Sequence, residues 1–249
     1  MTTDPPGMVW LPGGRFVMGS DEHYPEERPA HARDVAGFWI DRAPVTVADF
    51  SAFVAATGHV TLAERLGGSA VFRQPETADL RRPDWWHWQA GADWRGPDDL
   101  PVVHVGHADA AAYAAWAGKR LPDEAQWEYA ARGSAWPVLA ANVWQGYFPT
   151  HNAKPHAPGP SRAGAHPAND HGLYDMIGNV WEWTRDRFAA HGTASCCAGA
   201  EGGDAWVIKG GSYLCAANYC ARYRPAARLG QPADSPTGHI GFRCVVEAG

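Results

Sequence analysis

Apolar positions fall into short runs along this chain. Met8-Val9-Trp10-Leu11 and Arg15-Phe16-Val17-Met18 flank Gly13-Gly14 and predict strand, turn, strand. Phe38, Trp39 and Ile40 mark another strand over 35–41. At Thr46-Val47-Ala48-Asp49 the period changes: a capping-box start precedes Phe50, Phe53 and Val54 on one helical face, and Gly58 ends the helix. Residues 107–116 predict a second helix, packed through Ala112, Tyr113 and Trp116 and stopped at Gly118. Asp123-Glu124-Ala125-Gln126 caps a third, which runs to Arg132 and stops at Gly133. Residues 173–183 alternate turns and short strands, and 207–213 and 241–246 predict terminal strands.

The intervening stretches carry weaker patterns. Residues 21–33 are acidic, contain proline and read as exposed. Trp85, Trp86, Trp88 and Trp94 crowd 61–99 without a period. The simpler reading is a loop pinned by aromatic burial; the functional one is an aromatic wall for a peptide groove. Residues 142–170 read as loop, and 189–204 as a flexible stretch of small residues. With 28 glycines and 20 prolines the elements must be short, and 13 tryptophans supply burial that short elements cannot. The expectation is an irregular, loop-rich α+β fold. No repeat, low-complexity tract or linker divides the chain, so 1–249 reads as a single domain.

A formal net charge of −6 argues against non-specific nucleic-acid binding. The local cluster Arg222, Arg224 and Arg228 reads instead as partners for carboxylates or peptide. No apolar run is long enough for a membrane helix, and Met1 to Pro6 lacks the basic and apolar regions of a signal peptide. A cytoplasmic, reducing location is therefore expected, and the odd count of five cysteines fits it.

Several common sites are absent. No Gly-x-Gly-x-x-Gly, phosphate-binding loop or Gly-x-Ser-x-Gly elbow occurs, and none of the 12 histidines sits four residues from another. What remains is Cys215 and Cys220, a soft pair of the kind that suits Cu(I), zinc or iron–sulfur chemistry. Their spacing fits neither a zinc knuckle nor a redox Cys-x-x-Cys. It leaves open a two-coordinate copper site, a disulfide or two buried thiols. Ser212 lies near the same pocket or caps a turn after Gly210-Gly211. Cys244 reads as a buried structural thiol. Cys196-Cys197 could complete a four-cysteine zinc site, but vicinal ligands fit one tetrahedral metal poorly, so surface thiols or a reversible disulfide are expected. Asp175 and Glu182, with the carbonyls between them, could converge on calcium or remain two solvated acids. Arg228 offers bidentate recognition of a substrate carbonyl or carboxylate, or a structural salt bridge.

Gly210-Gly211-Ser212-Tyr213-Leu214-Cys215, then Tyr219-Cys220, then Arg222-Tyr223-Arg224-Pro225-Ala226-Ala227-Arg228 and Gly241-Phe242-Arg243-Cys244, resemble the C-terminal signature of formylglycine-generating enzymes, the sulfatase-modifying factor family. Further matches span nearly the whole chain: Pro12-Gly13-Gly14-Arg15-Phe16-Val17-Met18-Gly19, Gly118-Lys119-Arg120-Leu121-Pro122 and Gly172-Leu173-Tyr174-Asp175-Met176-Ile177-Gly178-Asn179-Val180-Trp181-Glu182-Trp183. The resemblance implies the family's variant of the C-type lectin fold. It implies oxidation of a peptidyl cysteine to Cα-formylglycine, on an unfolded Cys-x-Pro-x-Arg segment of a sulfatase. O2 and a reductant would be consumed, by a monomer without nucleic-acid or membrane partners. Cys215 and Cys220 would hold Cu(I) as catalytic ligands with Ser212 nearby, and Trp181 and Arg228 would contact substrate. Calcium would sit on the side chains of Asp175 and Glu182 and the carbonyls of Gly178 and Val180.

Family members hold another calcium from an element matching Asn142-Val143-Trp144-Gln145-Gly146, completed by an acid in the next loop. Here residues 150–159 contain Lys154 and His156 and no carboxylate, so one calcium is expected. Other departures are short segments at 94–101 and 133–142, Gly67-Gly68-Ser69 beside the substrate groove, and His107 in place of a tryptophan. The alternatives are a copper-dependent oxidase of another peptide or thiol, and a non-catalytic peptide-binding module, against which the intact cysteine pair argues.

Overall fold

The two ends of the chain meet in one sheet. The computed structural model describes residues 4–132, 140–189 and 205–247. Strand β1 (Met8–Leu11) pairs antiparallel with β4 (Phe38–Asp41), which pairs on its other edge with β13 (Val245–Glu247). The expected hairpin around Gly13-Gly14 does not form. Strand β2 (Gly14–Met18) pairs with β3 (His31–Val35) in a separate ribbon. Gly13 takes φ 73°, and a Cβ there would lie 2.2 Å from the Val35 carbonyl oxygen. The glycine pair serves a close crossing between two sheets, not a turn within one.

Helix starts follow the capping signals closely. In α1 (Val47–Thr57), Thr46 and Asp49 close a capping box and Gly58 ends the helix at φ 68°. Its Phe50 stacks on Tyr113 of α3 (His107–Trp116) at 5.9 Å. Short α2 (Leu62–Leu66) carries its own box from Thr61 and Glu64, a single turn too brief to show a period. In α4 (Glu124–Ala131) the box is Asp123 and Gln126. His107 keeps an aromatic role: its ring lies 3.7 Å from that of Trp206, and its Nε2 bonds the Thr184 carbonyl.

Within 61–99 a hairpin emerges, β5 (Gly68–Phe72) with β6 (Trp86–Ala90). A smaller pair follows, β7 (Gly146–Tyr147) with β8 (His151–Asn152). The second large sheet runs β11 (Arg228–Pro232), β10 (Ala205–Lys209), β9 (Trp181–Arg187), β12 (Ile240–Gly241), with β12 parallel to β9. Its inner face joins Trp183 and Ile208 to Phe50, Phe53 and Phe242, and that core reaches Cys215 and Cys220. Trp85, Trp144, Phe148 and Tyr213 form an aromatic cluster beside it. Among the described residues no helix is long and apolar enough to cross a membrane.

The 21–33 segment departs from expectation. Its 3-10 turn, Pro25–Glu27, buries both Glu26 and Glu27. Arg222 takes Glu26 and Arg224 takes Glu27, so the acids are compensated across most of the chain's length.

Candidate active site

The connection from β10 to β11 carries the chemistry. It opens with Gly210 at φ 93° and Gly211 at φ 71°, values that favour glycine. A Cβ on Gly210 would press within 2.9 Å of the Trp127 ring, and one on Gly211 within 2.9 Å of the Arg222 carbonyl oxygen. The loop therefore folds tightly back on its own later residues, Arg222 and Tyr223, ahead of β11. Ser212 closes the next turn: its carbonyl accepts from Cys215 N at 2.9 Å and its Oγ accepts from Leu214 N at 3.2 Å. The Ser212 N–H points at Cys215 Sγ, 3.4 Å away. Cys220 N donates to the Ala216 carbonyl at 2.9 Å, closing a helical turn that returns the second sulfur to the first.

The two sulfurs lie 3.8 Å apart, and both cysteines are buried and outside any disulfide. A disulfide needs about 2.05 Å between sulfurs. Cys215, Cys220, Ser212 and Trp181 all line one cavity of about 540 Å³, whose other walls include Trp85, Trp86 and Trp88. Ser212 therefore holds both expected positions, as turn cap and as pocket residue. Trp85, Trp86 and Trp88 line this cavity, whereas Trp94 packs in the core against Phe50.

Beside Cys220 stands Arg222, fully buried, with Nη1 3.7 Å from the sulfur. Its Nε and Nη2 donate to Glu26, and its guanidinium lies 3.7 Å from the centre of the Tyr24 ring. Burial works against this charge, yet Cys220 and Glu26 hold its pKa above the usual arginine value.

Sequence reasoning assigned no role to two histidines near the cavity, although His104 falls in the Pro101-Val102-Val103-His104-Val105 segment that resembles the family. His239 lines it, 4.6 Å from the Trp86 ring, with Nδ1 bonded to the Thr237 hydroxyl. Burial, aided by nearby His104, pushes its pKa down to about 3 and keeps it neutral. His104 sits at φ 61° with Nδ1 2.8 Å from Ser69 Oγ. That hydroxyl donates to the Pro236 carbonyl, which leaves the proton between them on the imidazole. Only the pairing of β5 with the segment before β12 brings them here.

Arg228 is not in this cavity. Its Nη2 donates to Glu124 at 3.0 Å and its Nη1 to the carbonyls of Glu26 and Ala189. Its side chain is held instead by the carboxylate of Glu124 at the start of α4 and lines a separate cavity with it. The structural salt bridge is the role observed. Cys196 and Cys197 lie outside the described residues.

The Asp175–Glu182 turn is tightly built. Asp175 and Asn179 both adopt positive φ, and a Cβ on Gly178 would meet the Asn142 carbonyl oxygen at 2.6 Å. Asp175 is buried, its Oδ2 accepting from Gly164 N, and burial raises its pKa despite that bond and Arg243. Such a carboxylate is under-compensated and suits a cation. Glu182 is not a solvated acid. Arg243 grips both its oxygens, and Trp127 Nε1 reaches Oε2 at 2.7 Å. A carboxylate accepts about four hydrogen bonds, so about one position stays open on Oε1. Among the described residues no three His, Cys, Asp or Glu side chains converge to hold a metal ion. A calcium here would therefore depend on Asp175, backbone oxygens and that last position of Glu182. At the neighbouring Asn142, Lys154 Nζ already sits 2.7 Å from Oδ1.

Comparison with known proteins fits this architecture. The family model for the sulfatase-modifying factor enzyme 1-like domain matches residues 1–248. The formylglycine-generating enzyme of Mycobacterium tuberculosis is 45% identical over 96% of this chain and 97% of its own length. That of Streptomyces coelicolor is 44% identical, over 97% of this chain and 90% of its own. Among solved structures, PvdO from Pseudomonas aeruginosa superposes with TM-score 0.69 at 26% identity, over 97% of this chain and 94% of that one. The shared fold is sheet-rich and mixed, consistent with the C-type lectin-like class.

Proposed function

This chain belongs to the sulfatase-modifying factor enzyme 1-like family, and from that premise we propose that it oxidises the cysteine of a Cys-x-Pro-x-Arg segment of a sulfatase to Cα-formylglycine. One observation carries the reading: two thiols that form no disulfide, 3.8 Å apart, lining a cavity walled by aromatics. A soft, closely spaced sulfur pair suits Cu(I), and Cys215 and Cys220 would hold it. Copper bound there would activate O2 towards the Cβ–H bond of the substrate cysteine. The overall change balances as one cysteine, one O2, two electrons and two protons giving the aldehyde, hydrogen sulfide and water. The reductant that supplies the two electrons is a thiol or similar external donor.

The chain's own groups have separable tasks. Ser212 and the Gly210-Gly211 turn fix the position of Cys215. Arg222 places a pinned cation beside Cys220 and favours its anionic, metal-binding form. Trp85, Trp86 and Trp181 supply apolar walls that exclude water and present a flat surface to an extended peptide. His239, neutral and anchored through Nδ1, offers its other ring nitrogen to substrate polar groups. Calcium at Asp175, Glu182 and the carbonyls of Gly178 and Val180 would stiffen the turn that leads into Trp181.

The test is incubation of a Cys-x-Pro-x-Arg peptide with copper-loaded protein, O2 and a thiol reductant, followed by mass spectrometry and aminooxy capture. Loss of sulfur with gain of an aldehyde is expected. Rapid oxidation of free thiols with the peptide untouched would overturn the reading in favour of a copper-dependent oxidase of another substrate.

A further inference from the structure

The two sulfurs are held by different means. Cys215 is fixed within its own loop by the Ser212 turn, and its carbonyl accepts from Trp144 N at 3.0 Å. Cys220 opens a stretch, 220–223, that belongs to no helix or strand. What grips that stretch comes from 197 residues earlier: the Tyr24 hydroxyl accepts from Ala221 N at 3.1 Å, one residue past the second sulfur. The Tyr24 ring lies 3.7 Å from the Arg222 guanidinium. Glu26 and Glu27 take Arg222 and Arg224, and Arg224 Nε returns to the Ala221 carbonyl at 3.1 Å. Residues 20–27 thus form a strap across the segment that follows Cys220. The strap is firmly mounted. Ser20 N donates to the Glu27 carbonyl at 3.1 Å, and Glu27 N to the Tyr24 carbonyl at 3.0 Å. Gly19 N donates to Glu128 of α4 at 2.8 Å, and the Gly19 carbonyl accepts from Arg132. At φ 80°, a Cβ on Gly19 would lie 2.4 Å from the Glu27 carbonyl oxygen, so the strap closes tightly at its base.

We propose that Tyr24 is a positioning residue for Cys220: its hydroxyl and ring hold residues 221 and 222, and through them keep the second sulfur in place beside the first. This deepens the function proposed above and rests on it for its copper arm. A loop that samples other positions binds a metal only in proportion to the fraction of molecules with both sulfurs in place. The same loosening lets the sulfurs close more often from 3.8 Å to the roughly 2 Å of a disulfide. Losing one hydrogen bond shifts such a balance about fivefold. The ring adds its contact with a buried guanidinium, so removing it as well shifts the balance further.

The test compares wild type with Tyr24→Phe, which keeps the ring and removes the acceptor, and Tyr24→Leu, which removes both. The control is Tyr129→Phe, which loses a comparable hydroxyl bond at a different place, to the Gly13 carbonyl. Calorimetry gives Tm, and a competing chelator gives the Cu(I) Kd. Metal-free protein mixed with glutathione disulfide, followed by peptide mapping, gives the rate at which Cys215 and Cys220 become one disulfide and release two glutathiones. Expected is a Tm about 2–4 °C below wild type in both phenylalanine variants. Tyr24→Phe alone weakens Cu(I) binding about fivefold and speeds disulfide formation by a similar factor, and Tyr24→Leu exceeds it in both. Unchanged affinity and rate in Tyr24→Phe overturn the assignment while the parent function stands. Equal shifts in Tyr129→Phe also overturn it, since the effect is then a general softening of the fold. Faster disulfide formation in Tyr24→Phe, with no Cu(I) bound by wild type, supports the positioning role and sinks the parent function.

Discussion

Arg222 Nη1 stands 3.7 Å from Cys220 Sγ, while the same guanidinium is gripped from the other side by Glu26. A residue near the N-terminus thus fixes the cation beside a sulfur near the C-terminus. Removing one partner of a buried ion pair costs about 3–5 kcal/mol, because the other charge is left uncompensated. Glu26→Gln should therefore lower Tm by roughly 10 °C for a chain of this size and weaken Cu(I) binding as well. Differential scanning calorimetry and a competitive Cu(I) chelator titration read the two effects. A Tm within about 2 °C of wild type would show that Glu26 does not anchor Arg222.

The sulfurs themselves are tested by substitution. Cys215→Ser and Cys220→Ser should each reduce bound copper from one per chain to none and bring aldehyde formation below detection. Cys244→Ala should keep the copper. That thiol is buried in the core behind β12, and burial raises its pKa well above the ordinary cysteine value. Copper retained at full stoichiometry in either serine variant would mean that the pair is not the binding site.

Legibility in the sequence tracked the range of the interactions. Capping boxes are local, so Thr46 with Asp49 and Asp123 with Gln126 announced their helices correctly. The Gly210-Gly211-Ser212 turn and the cysteine pair could be read because they sit within one loop. Long-range compensation could not. Glu26 and Glu27 read as exposed acids because their arginines lie at 222 and 224. Glu182 read as a solvated or metal-binding acid because Arg243 and Trp127 reach it only through the fold. His239 joined the cavity through strand pairing across Ala70 and Thr237, which no spacing encodes.

Acid sensitivity follows from three buried histidines. His104 and His107 are pushed down to about 4 and His239 to about 3, from an ordinary 6.5, in each case chiefly by burial. A depressed histidine pKa means that the unfolded chain binds protons which the folded chain does not. Stability is then intact above pH 6.5 and is lost as pH falls below it, at about 1.4 kcal/mol per pH unit for each histidine. Asp41, Asp175 and Asp186, raised by burial, act with the opposite sign, contributing stability that returns as pH falls through their raised values. Tm should fall steadily between pH 6.5 and 5, less steeply in His107→Gln. A flat Tm across that interval would contradict the neutral, buried state of these rings.

Calcium stoichiometry separates two neighbouring turns. At Asp175 the buried carboxylate has a raised pKa, one backbone donor and an open oxygen, which a divalent cation would compensate. At Asn142 the corresponding oxygen is already taken by the Lys154 ammonium at 2.7 Å. Half-burial lowers the Lys154 pKa, so its charge is costly enough to need that partner. A divalent ion would have to displace the ammonium and would find no carboxylate in the 150–159 loop, while calcium affinity rises with ligand charge. Protein stripped of metal and repleted with calcium should therefore hold one ion per chain. Asp175→Asn should lose it. Lys154→Asp removes the tethered cation and supplies an anion at the same place, so it should raise the count to two and raise Tm only when calcium is present. Two tightly held ions in wild type, or one still held by Asp175→Asn, would show that Lys154 does not exclude the metal or that Asp175 does not bind it.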